Sequence, residues 1–400
     1  MFRHILYYVT SVFLLLHPYV CYSTDYKPDK ETEKRIEALL GKMTLEEKIG
    51  QMNQLHCENF PYLKTETRKG RVGSVMSITD PNIFNEVQRI AVEDSRLGIP
   101  LINARDVIHG FKTIFPIPLG QAASFNPEIA ETGARIAATE ASAAGIRWTF
   151  APMIDITHDP RWGRIAEGFG EDPLLVSQMG VAAIKGFQGS SLNHPTSIAA
   201  CAKHFAGYGA AIAGKDYNSV DMSMGQFVNF YMPPYKAGAE AGAATFMSAF
   251  NDFNNEPSTG STFLLRKLLK NQWGFKGFVV SDWGSVGEMM NHRYAKDEKE
   301  AAYKGIKAGL DMEMVSECYS KNLVSLVKEG KVSIKLVDDA VRRILEQKYK
   351  LGLFDDPFRY CDEERERTVI GSQESRKEAC YVSERSIVLL KNENSVLPLS

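Results

Sequence analysis

The sequence lacks the signatures of several common kinds of site. Its six cysteines are irregularly spaced and form no CxxC pair, which argues against a zinc site or a disulfide framework. No HExxH or comparable metal-binding cluster occurs. A glycine-rich GFGED segment follows no predicted strand and has neither dinucleotide-binding nor P-loop spacing. We therefore expect neither a metal nor a cofactor.

An excess of charge of one sign is also missing. The chain has 47 Lys and Arg against 49 Asp and Glu, a net charge of -2. Such a balance gives no electrostatic reason to expect nucleic acid or an anionic membrane surface as a partner. The hydrophobic fraction of 44% is ordinary for a soluble globular protein. A neutral substrate is compatible with these values.

Long apolar runs are absent except near the start of the chain. Basic residues precede an apolar stretch at 5–16, and small residues follow before position 24. This layout predicts a secretory signal peptide at residues 1–23. About a dozen apolar residues is too short for a membrane span, which needs roughly 20. We expect a periplasmic or secreted protein with no membrane association beyond the signal.

Apolar runs alternate with amphipathic segments through most of the chain, which is typical of a parallel β/α architecture. Thr44 and Glu47 form a capping-box pattern, and Asn126 with Pro127 suits a helix start. Eight short strands are predicted, at residues 50–55, 72–78, 100–105, 148–154, 198–204, 245–250, 277–281 and 310–314. Eight strands with intervening helices predict an α/β fold, a (β/α)8 TIM-like barrel.

The composition also predicts domain boundaries. The barrel is expected to occupy residues 24–358. Residues 359–385 are polar and charged, so we predict a linker there. Residues 386–400 contain the apolar run SIVLL and are too few to bury a core of their own. We therefore predict that they open a second domain that the chain truncates.

Polar residues follow six of the predicted strands, at the ends where a parallel barrel forms its active site. These residues are Asp106, Asp155, Lys203 with His204, Asn251, Asp282 and Glu313. Each has an ordinary structural explanation as well. Asp282 suits a helix N-cap, and Lys203 with His204 suits a surface pair. Arg164 in the DPRWGR segment suits an ion pair with a carboxylate such as Glu167.

Five motifs occur in a fixed order: DVIHG, DPRWGR, KHFAGYG, MSAFN and SDWG. This constellation resembles glycoside hydrolase family 3, especially its bacterial periplasmic β-glucosidase branch, over nearly the whole chain from about residue 34. KHF and SDW in this order are the specific signals. The resemblance implies that Asp282 is the catalytic nucleophile and that the missing second domain is an α/β sandwich. It also implies one substrate pocket, lined by Asp106, Arg164, Lys203, His204 and Trp283.

Those roles agree with the chemistry of the side chains. An aspartate that attacks the anomeric carbon forms a covalent glycosyl-enzyme, which water hydrolyses with retention. Lys203 and Arg164 are expected to keep Asp282 ionised, and Trp283 can stack on a sugar ring. The expected activity is that of a retaining, exo-acting β-glycosidase on β-linked glucosides or oligosaccharides. The oligomeric state is not predicted.

The sequence departs from the family pattern at three places. Retention requires a second carboxyl group as general acid, and no residue of the predicted barrel is an obvious candidate. The loop after KHF lacks the histidine of single-domain members, so we expect the acid to come from the missing C-terminal domain. Phe250 stands where many members have tyrosine. Arg105 stands where an aromatic residue is common.

Three other interpretations remain open at this point. The resemblance favours a β-glucosidase that releases terminal glucose, with a β-xylosidase of the same family as the alternative. The chain could also be a catalytically impaired barrel that only binds sugar, because its acid is missing. An aldolase in which Lys203 forms a Schiff base is a third possibility, although the surrounding carboxylates favour a sugar site.

Overall fold

The computed structural model describes residues 30–358 and 361–399. The predicted signal peptide, residues 1–23, lies outside the described residues. Short strands alternate with helices through most of the described chain. The α/β class predicted from the sequence is therefore confirmed.

Each of the eight predicted strand segments overlaps a strand. An antiparallel hairpin that was not predicted follows the sixth of them. The strands are β1 Asn53–His56, β2 Ser74–Met76, β3 Ile102–Arg105, β4 Trp148–Thr149, β5 Cys201–Phe205, β6 Thr245–Ser248, β7 Asp252–Phe253, β8 Glu256–Pro257, β9 Phe278–Val280 and β10 Glu313–Met314.

The strands outside this hairpin are parallel neighbours. One sheet has the order β10-β1-β2-β3-β4 and a second has the order β5-β6-β9. Parallel bridges from Trp148 to Ala199 and from Met153 to Lys203 join the first sheet to the second. A further parallel bridge joins Val280 to Met312, just before β10. Because the pairs are parallel, the carboxyl ends of all eight strands lie at the same end of the sheets.

Helices occupy the connections between successive parallel strands, and others precede β1 or follow β10. They are α1 Lys30–Lys42, α2 Leu45–Gln51, α3 Phe60–Arg68, α4 Pro81–Arg89, α5 Pro118–Ala122, α6 Pro127–Ala143, α7 Pro173–Gln188, α8 Met224–Gln226, α9 Pro233–Glu240, α10 Ser285–Glu288, α11 Glu298–Ala308, α12 Cys318–Lys328, α13 Ile334–Lys350, α14 Glu363–Val369 and α15 Gln373–Arg385. The helix between β8 and β9 has π-type hydrogen bonding over Thr262–Gln272.

Local sequence explains how these helices begin and pack. Thr44 and Glu47 make both hydrogen bonds of the predicted capping box at the start of α2. Asn126 caps α6, where Pro127 occupies the first turn. Helices α6 and α7 approach closely at Gly186, where an added Cβ would lie 2.7 Å from the Cβ of Ala134. Gly186 therefore permits the close packing of α6 and α7.

Aromatic side chains from β4, the segment just after it and β9 pack together in the interior. The Trp148 ring lies edge-on to Phe150 and to Phe278, with centroids 5.0 Å apart in both pairs. Its indole N–H donates to the Thr245 hydroxyl at 2.8 Å, so this buried polar group is satisfied. The strands that carry the candidate residues are thus held against a packed interior.

The segment predicted as a linker, residues 359–385, needs a correction. Its described part forms α14 and α15, which pack on α6, with Val382 buried near Phe115 and Ile129. The Gly371 N–H donates to Glu140 Oε1 at 2.9 Å. Few apolar residues mark the buried side of these helices, which is why composition alone suggested a connection. Residues 386–399 contain no strand, and their apolar side chains are exposed.

Candidate active site

Asp282 lies at the carboxyl end of β9, in a turn that is hydrogen-bonded to β10. The Ser281 hydroxyl accepts the Met314 N–H at 2.9 Å, and the Gly284 N–H donates to the Met314 carbonyl at 3.0 Å. Asp282 Oδ1 accepts the N–H of Trp283 at 2.7 Å. Helix α10 begins after Gly284, which has a φ of 67° and makes no side-chain cap. Asp282 is therefore not a helix N-cap. The end of β9 determines where its carboxylate lies.

Lys203 and Asp106 form an ion pair beside this turn. Lys203 Nζ lies 2.8 Å from Asp106 Oδ1. Burial lowers the pKa of Lys203, but the neighbouring carboxylates Asp106 and Asp282 outweigh it, so the pKa is raised. The side chain is therefore an ammonium ion. A Schiff-base lysine needs a neutral amine to attack its substrate, so the geometry argues against the aldolase alternative.

His204 connects Asp282 to a second buried carboxyl group. Its Nε2 lies 3.4 Å from Asp282 Oδ2, and its Nδ1 lies 2.9 Å from Asp155 Oδ2. The same Asp155 oxygen accepts the backbone N–H of His204 at 2.8 Å. Tyr235 donates to Asp155 Oδ1 at 2.7 Å. Asp155, which follows β4 in sequence, thus supports the ring from behind.

Arg164 is held by a bidentate pair with Glu167. Its Nε and Nη2 donate to the two carboxylate oxygens at 2.7 and 2.9 Å, the fork geometry that fixes a guanidinium most firmly. The guanidinium also lies over the ring of Tyr208, 5.6 Å from its centroid. The ion pair expected for Arg164 is present, and the cation lies close enough to lower the pKa of Asp282.

The protonation of Asp282 differs from the sequence-based expectation. The residue is only 8% exposed, and burial raises the pKa of its carboxyl group to about 7 although Lys203 and Arg164 lower it. The two cations therefore moderate the effect of burial without cancelling it. Near neutral pH the group exchanges between its protonated and ionised forms.

Aromatic side chains surround the entrance above Asp282. Trp283 is 45% exposed and lies edge-on to His56, with ring centroids 5.3 Å apart. Tyr217 packs on Phe250 at 4.4 Å, and Phe250 presents a ring without a hydroxyl. The sequence analysis did not identify Tyr217 as a candidate. It lies in the loop after KHF, the loop that lacks the histidine of single-domain members.

The polar strand-end residues do not all face this site. Glu313 is buried and accepts the Tyr319 N–H at 2.6 Å, so its hydrogen bond stabilises the first turn of α12. The Asn251 side chain donates to the backbone carbonyls of Ala206, just after β5, and Asp252, in β7. The structure brings together Asp106, Arg164, Lys203, His204, Asp282 and Trp283, with Asp155, Glu167, Tyr208 and Tyr235 as their supports.

Within residues 30–358 and 361–399, no group of three or more His, Cys, Asp or Glu side chains is arranged to hold a metal ion. Among the same residues, no helix has both the length and the apolar character needed to cross a bilayer.

Known proteins are similar to this chain both in sequence and in fold. A periplasmic beta-glucosidase of Salmonella typhimurium is 44% identical over 367 residues, which cover 90% of this chain and 48% of that protein. A putative beta-xylosidase of Formosa agariphila is 36% identical and is covered to 53%. The crystal structure of a beta-glucosidase from Listeria innocua in complex with glucose superposes with a TM-score of 0.88 at 41% identity. That alignment covers 92% of this chain and 53% of the Listeria chain.

The chain therefore spans about half the length of the relatives that it matches. Residues 44–347 match the Glycosyl hydrolase family 3 N terminal domain. This match covers most of the described chain and includes every residue of the candidate site. The chain belongs to glycosyl hydrolase family 3.

Proposed function

We propose that this chain carries the nucleophile-bearing (β/α)8 barrel of a retaining, exo-acting β-glycosidase. One observation carries the proposal: a buried carboxyl group at a strand end is surrounded by cations and hydrogen-bonding groups suited to a sugar. Asp282 supplies the carboxyl group, and Lys203 is the cation at the centre of the cluster. A pyranoside ring offers several hydroxyl groups that such a mixed set of donors and acceptors can bind.

The chemistry follows from the ionised form of Asp282. One carboxylate oxygen attacks the anomeric carbon, the bond to the leaving oxygen breaks, and a glycosyl ester forms. Water then cleaves the ester and restores the original configuration. The leaving oxygen needs a proton from a second carboxyl group about 5–5.5 Å away. We propose that a C-terminal domain beyond Ser400 supplies this acid.

The substrate we favour is a terminal β-linked glucose. Two similar proteins, from Salmonella typhimurium and Listeria innocua, are described as beta-glucosidases, and the Listeria enzyme has been solved with glucose and, as a mutant, with laminaribiose. A β-xyloside is the alternative, because the Formosa agariphila relative is a putative beta-xylosidase. We further propose that the protein is periplasmic or secreted and that residues 386–400 lead into an α/β sandwich domain.

The test is covalent labelling with a 2-deoxy-2-fluoro-β-glucoside that carries a dinitrophenolate leaving group. This leaving group departs without protonation, so attack does not require the missing acid. We expect peptide mass spectrometry to find one glycosyl group on the peptide that contains Asp282. Asp282→Asn is the matched control, since it keeps the shape of the side chain but removes the nucleophile.

The outcomes separate the alternatives. A label on Asp282 establishes the nucleophile and a glucose-accepting pocket together. Labelling by the corresponding β-xyloside at a much higher rate would overturn the choice of glucose. A label on a different carboxylate would contradict the assignment of Asp282. A chain that binds glucose and accepts no label would support the impaired, sugar-binding alternative.

A further inference from the structure

The carboxyl group of Asp155 lies behind the candidate site and is 1% exposed. Both of its oxygens are committed to groups around one histidine. Oδ2 accepts the His204 backbone N–H at 2.8 Å and lies 2.9 Å from Nδ1 of the same residue. Oδ1 accepts from Tyr235, whose hydroxyl also lies 2.6 Å from the His204 carbonyl oxygen. Asp155 therefore contacts His204 at its backbone and at its ring.

This arrangement determines which ring nitrogen carries the proton. Oδ2 already accepts a backbone N–H, so Oδ2 acts as an acceptor. The ring nitrogen beside it must then be a donor, which places the proton of a neutral imidazole on Nδ1. Protonation of Asp155 on the other oxygen, toward Tyr235, would leave this bond unchanged, because the tyrosine hydroxyl can donate to the His204 carbonyl instead. The tautomer thus does not depend on the charge of Asp155.

The remaining nitrogen, Nε2, faces Asp282. It lies 3.4 Å from Asp282 Oδ2, yet neither atom has a hydrogen-bond partner among the described residues, and both are buried. A proton on Nε2 would be a buried donor without an acceptor, which proteins seldom tolerate. An unshared acceptor lone pair costs less. The position of Nε2 therefore agrees with the proton on Nδ1.

The two cations near the ring oppose a doubly protonated form, whereas the neighbouring carboxyl groups would favour one. Arg164 and Lys203 face it as cations, Asp155 and Asp282 face its two nitrogens, and Tyr208 lies edge-on at 5.1 Å. Burial, followed by the effect of these two cations, holds the pKa of His204 well below its usual range. Burial and the two cations therefore favour the neutral ring near neutral pH.

We infer that Asp155 is a positioning residue that fixes His204 as the Nδ1–H tautomer and so presents Nε2 as an acceptor beside Asp282. Two adjacent acceptors suit a single donor between them. This consequence rests on the proposed function. If the ligand is a sugar, the donor is one of its hydroxyl groups. The pair then selects ligands that carry a hydroxyl at this position over those in which hydrogen replaces it.

The test uses nitrogen NMR of the whole chain labelled with 15N-histidine, with His204→Gln identifying the signals. In the wild-type protein between pH 6 and 8 we expect a protonated Nδ1, an unprotonated Nε2 and no titration. Asp155→Ala should release the ring, so that Nε2 becomes partly protonated. Asp155→Asn should restore the wild-type pattern, because its amide oxygen can accept both His204 donors while its NH2 group faces Tyr235.

Tyr235→Phe is the matched control, since it removes a bond to Asp155 without touching Oδ2, and we expect its ring signals to resemble the wild type. A wild-type Nε2 that carries the proton would overturn the inference, as would wild-type ring signals in Asp155→Ala. Should that variant fail to fold, the wild-type spectrum alone decides.

Glucose titration then examines the hydroxyl contact. We expect glucose to shift the Nε2 signal and to bind about tenfold more weakly to Asp155→Ala, the loss for one buried hydrogen bond. Affinity should return to within about threefold of wild type in Asp155→Asn. Glucose that leaves the wild-type spectrum unchanged would contradict the hydroxyl contact and the proposed function, while the tautomer is judged separately from the unliganded spectra.

Discussion

Lys203 and Asp106 form an ion pair of which only the carboxylate reaches solvent. Their closest atoms are 2.8 Å apart, and the lysine side chain is 4% exposed against 50% for the aspartate. The exposed carboxylate can bind sugar hydroxyls while it holds the buried ammonium away from Asp282. Asp106 therefore has two effects on the pKa of Asp282, one through its own charge and one through the position of Lys203.

Asp106→Asn separates these effects. Loss of the negative charge frees Lys203 to turn toward Asp282, and both changes lower the pKa of the nucleophile. We expect labelling by the fluoroglucoside to slow about tenfold or more, because a charged hydrogen-bond acceptor is lost. The midpoint of its acid limb should nevertheless move to lower pH. A slower rate with an unmoved midpoint would mean that Asp106 acts only on the substrate.

The wild-type labelling rate should fall as the pH is lowered through about 7, the value to which burial raises the pKa of Asp282. Only the ionised carboxylate can attack, so the rate should drop about tenfold per pH unit below that value. The dinitrophenolate leaving group requires no acid, so a single limb is expected in rates measured from pH 5 to 8. A flat profile would show that Asp282 is ionised throughout.

Asp282→Asn should abolish labelling and stabilise the fold. The raised pKa means that the folded state binds a proton more tightly than the unfolded state, so the wild type loses stability as pH rises from about 4 to about 7. An uncharged asparagine avoids that loss and can still accept the Trp283 N–H. We expect a gain of roughly 1–4 kcal/mol at pH 8 in urea unfolding, and almost none at pH 4. An equal effect at both pH values would contradict this account.

Glu167→Gln should impair the site without a large effect on stability. The change breaks the charged fork that holds Arg164, so the guanidinium is no longer fixed beside Asp282. We expect labelling to be about 10-fold to 100-fold slower, with a melting temperature that falls by a few degrees at most. Asp159→Asn is the matched control, because its bidentate pair with Arg161 is exposed and lies outside the site. Similar losses in both variants would show a general effect on this loop.

Sequence patterns predicted the strands well and placed the candidate residues at strand ends that the structure brings together, for a physical reason. A buried parallel strand is a short apolar run, and the residues just after it lie at the carboxyl end of the sheet, as Ser281 and Asp282 after FVV show. Contacts between distant loops leave no such signature. The partnership of Asp155 with His204 depends on two strand ends that are 49 positions apart, and nothing in either segment specifies the other.

The protonation of Asp282 was harder to predict for a different reason. Sequence indicated which cations lie nearby but not how deeply the carboxyl group is buried, and burial is the larger effect. The two helices between residues 363 and 385 were missed because Val382 is one of very few apolar residues on their buried side. A charged helix with so sparse a pattern resembles a linker until its packing on α6 is known.

Lys348 offers a test of stability away from the site. It is buried in α13, where Nζ donates to Gln51 Oε1 at 2.6 Å, and burial lowers its pKa to about 7. Between pH 7 and about 10.5 the unfolded state therefore binds more protons, and wild-type stability should rise with pH over this window. Lys348→Met should lack this rise, so its stability relative to wild type should be greatest below pH 7 and decline toward pH 10. Urea midpoints measured across pH 6–10 would show the trend, with the exposed Lys335→Met as control. Parallel curves for wild type and Lys348→Met would mean that the buried amine keeps an ordinary pKa.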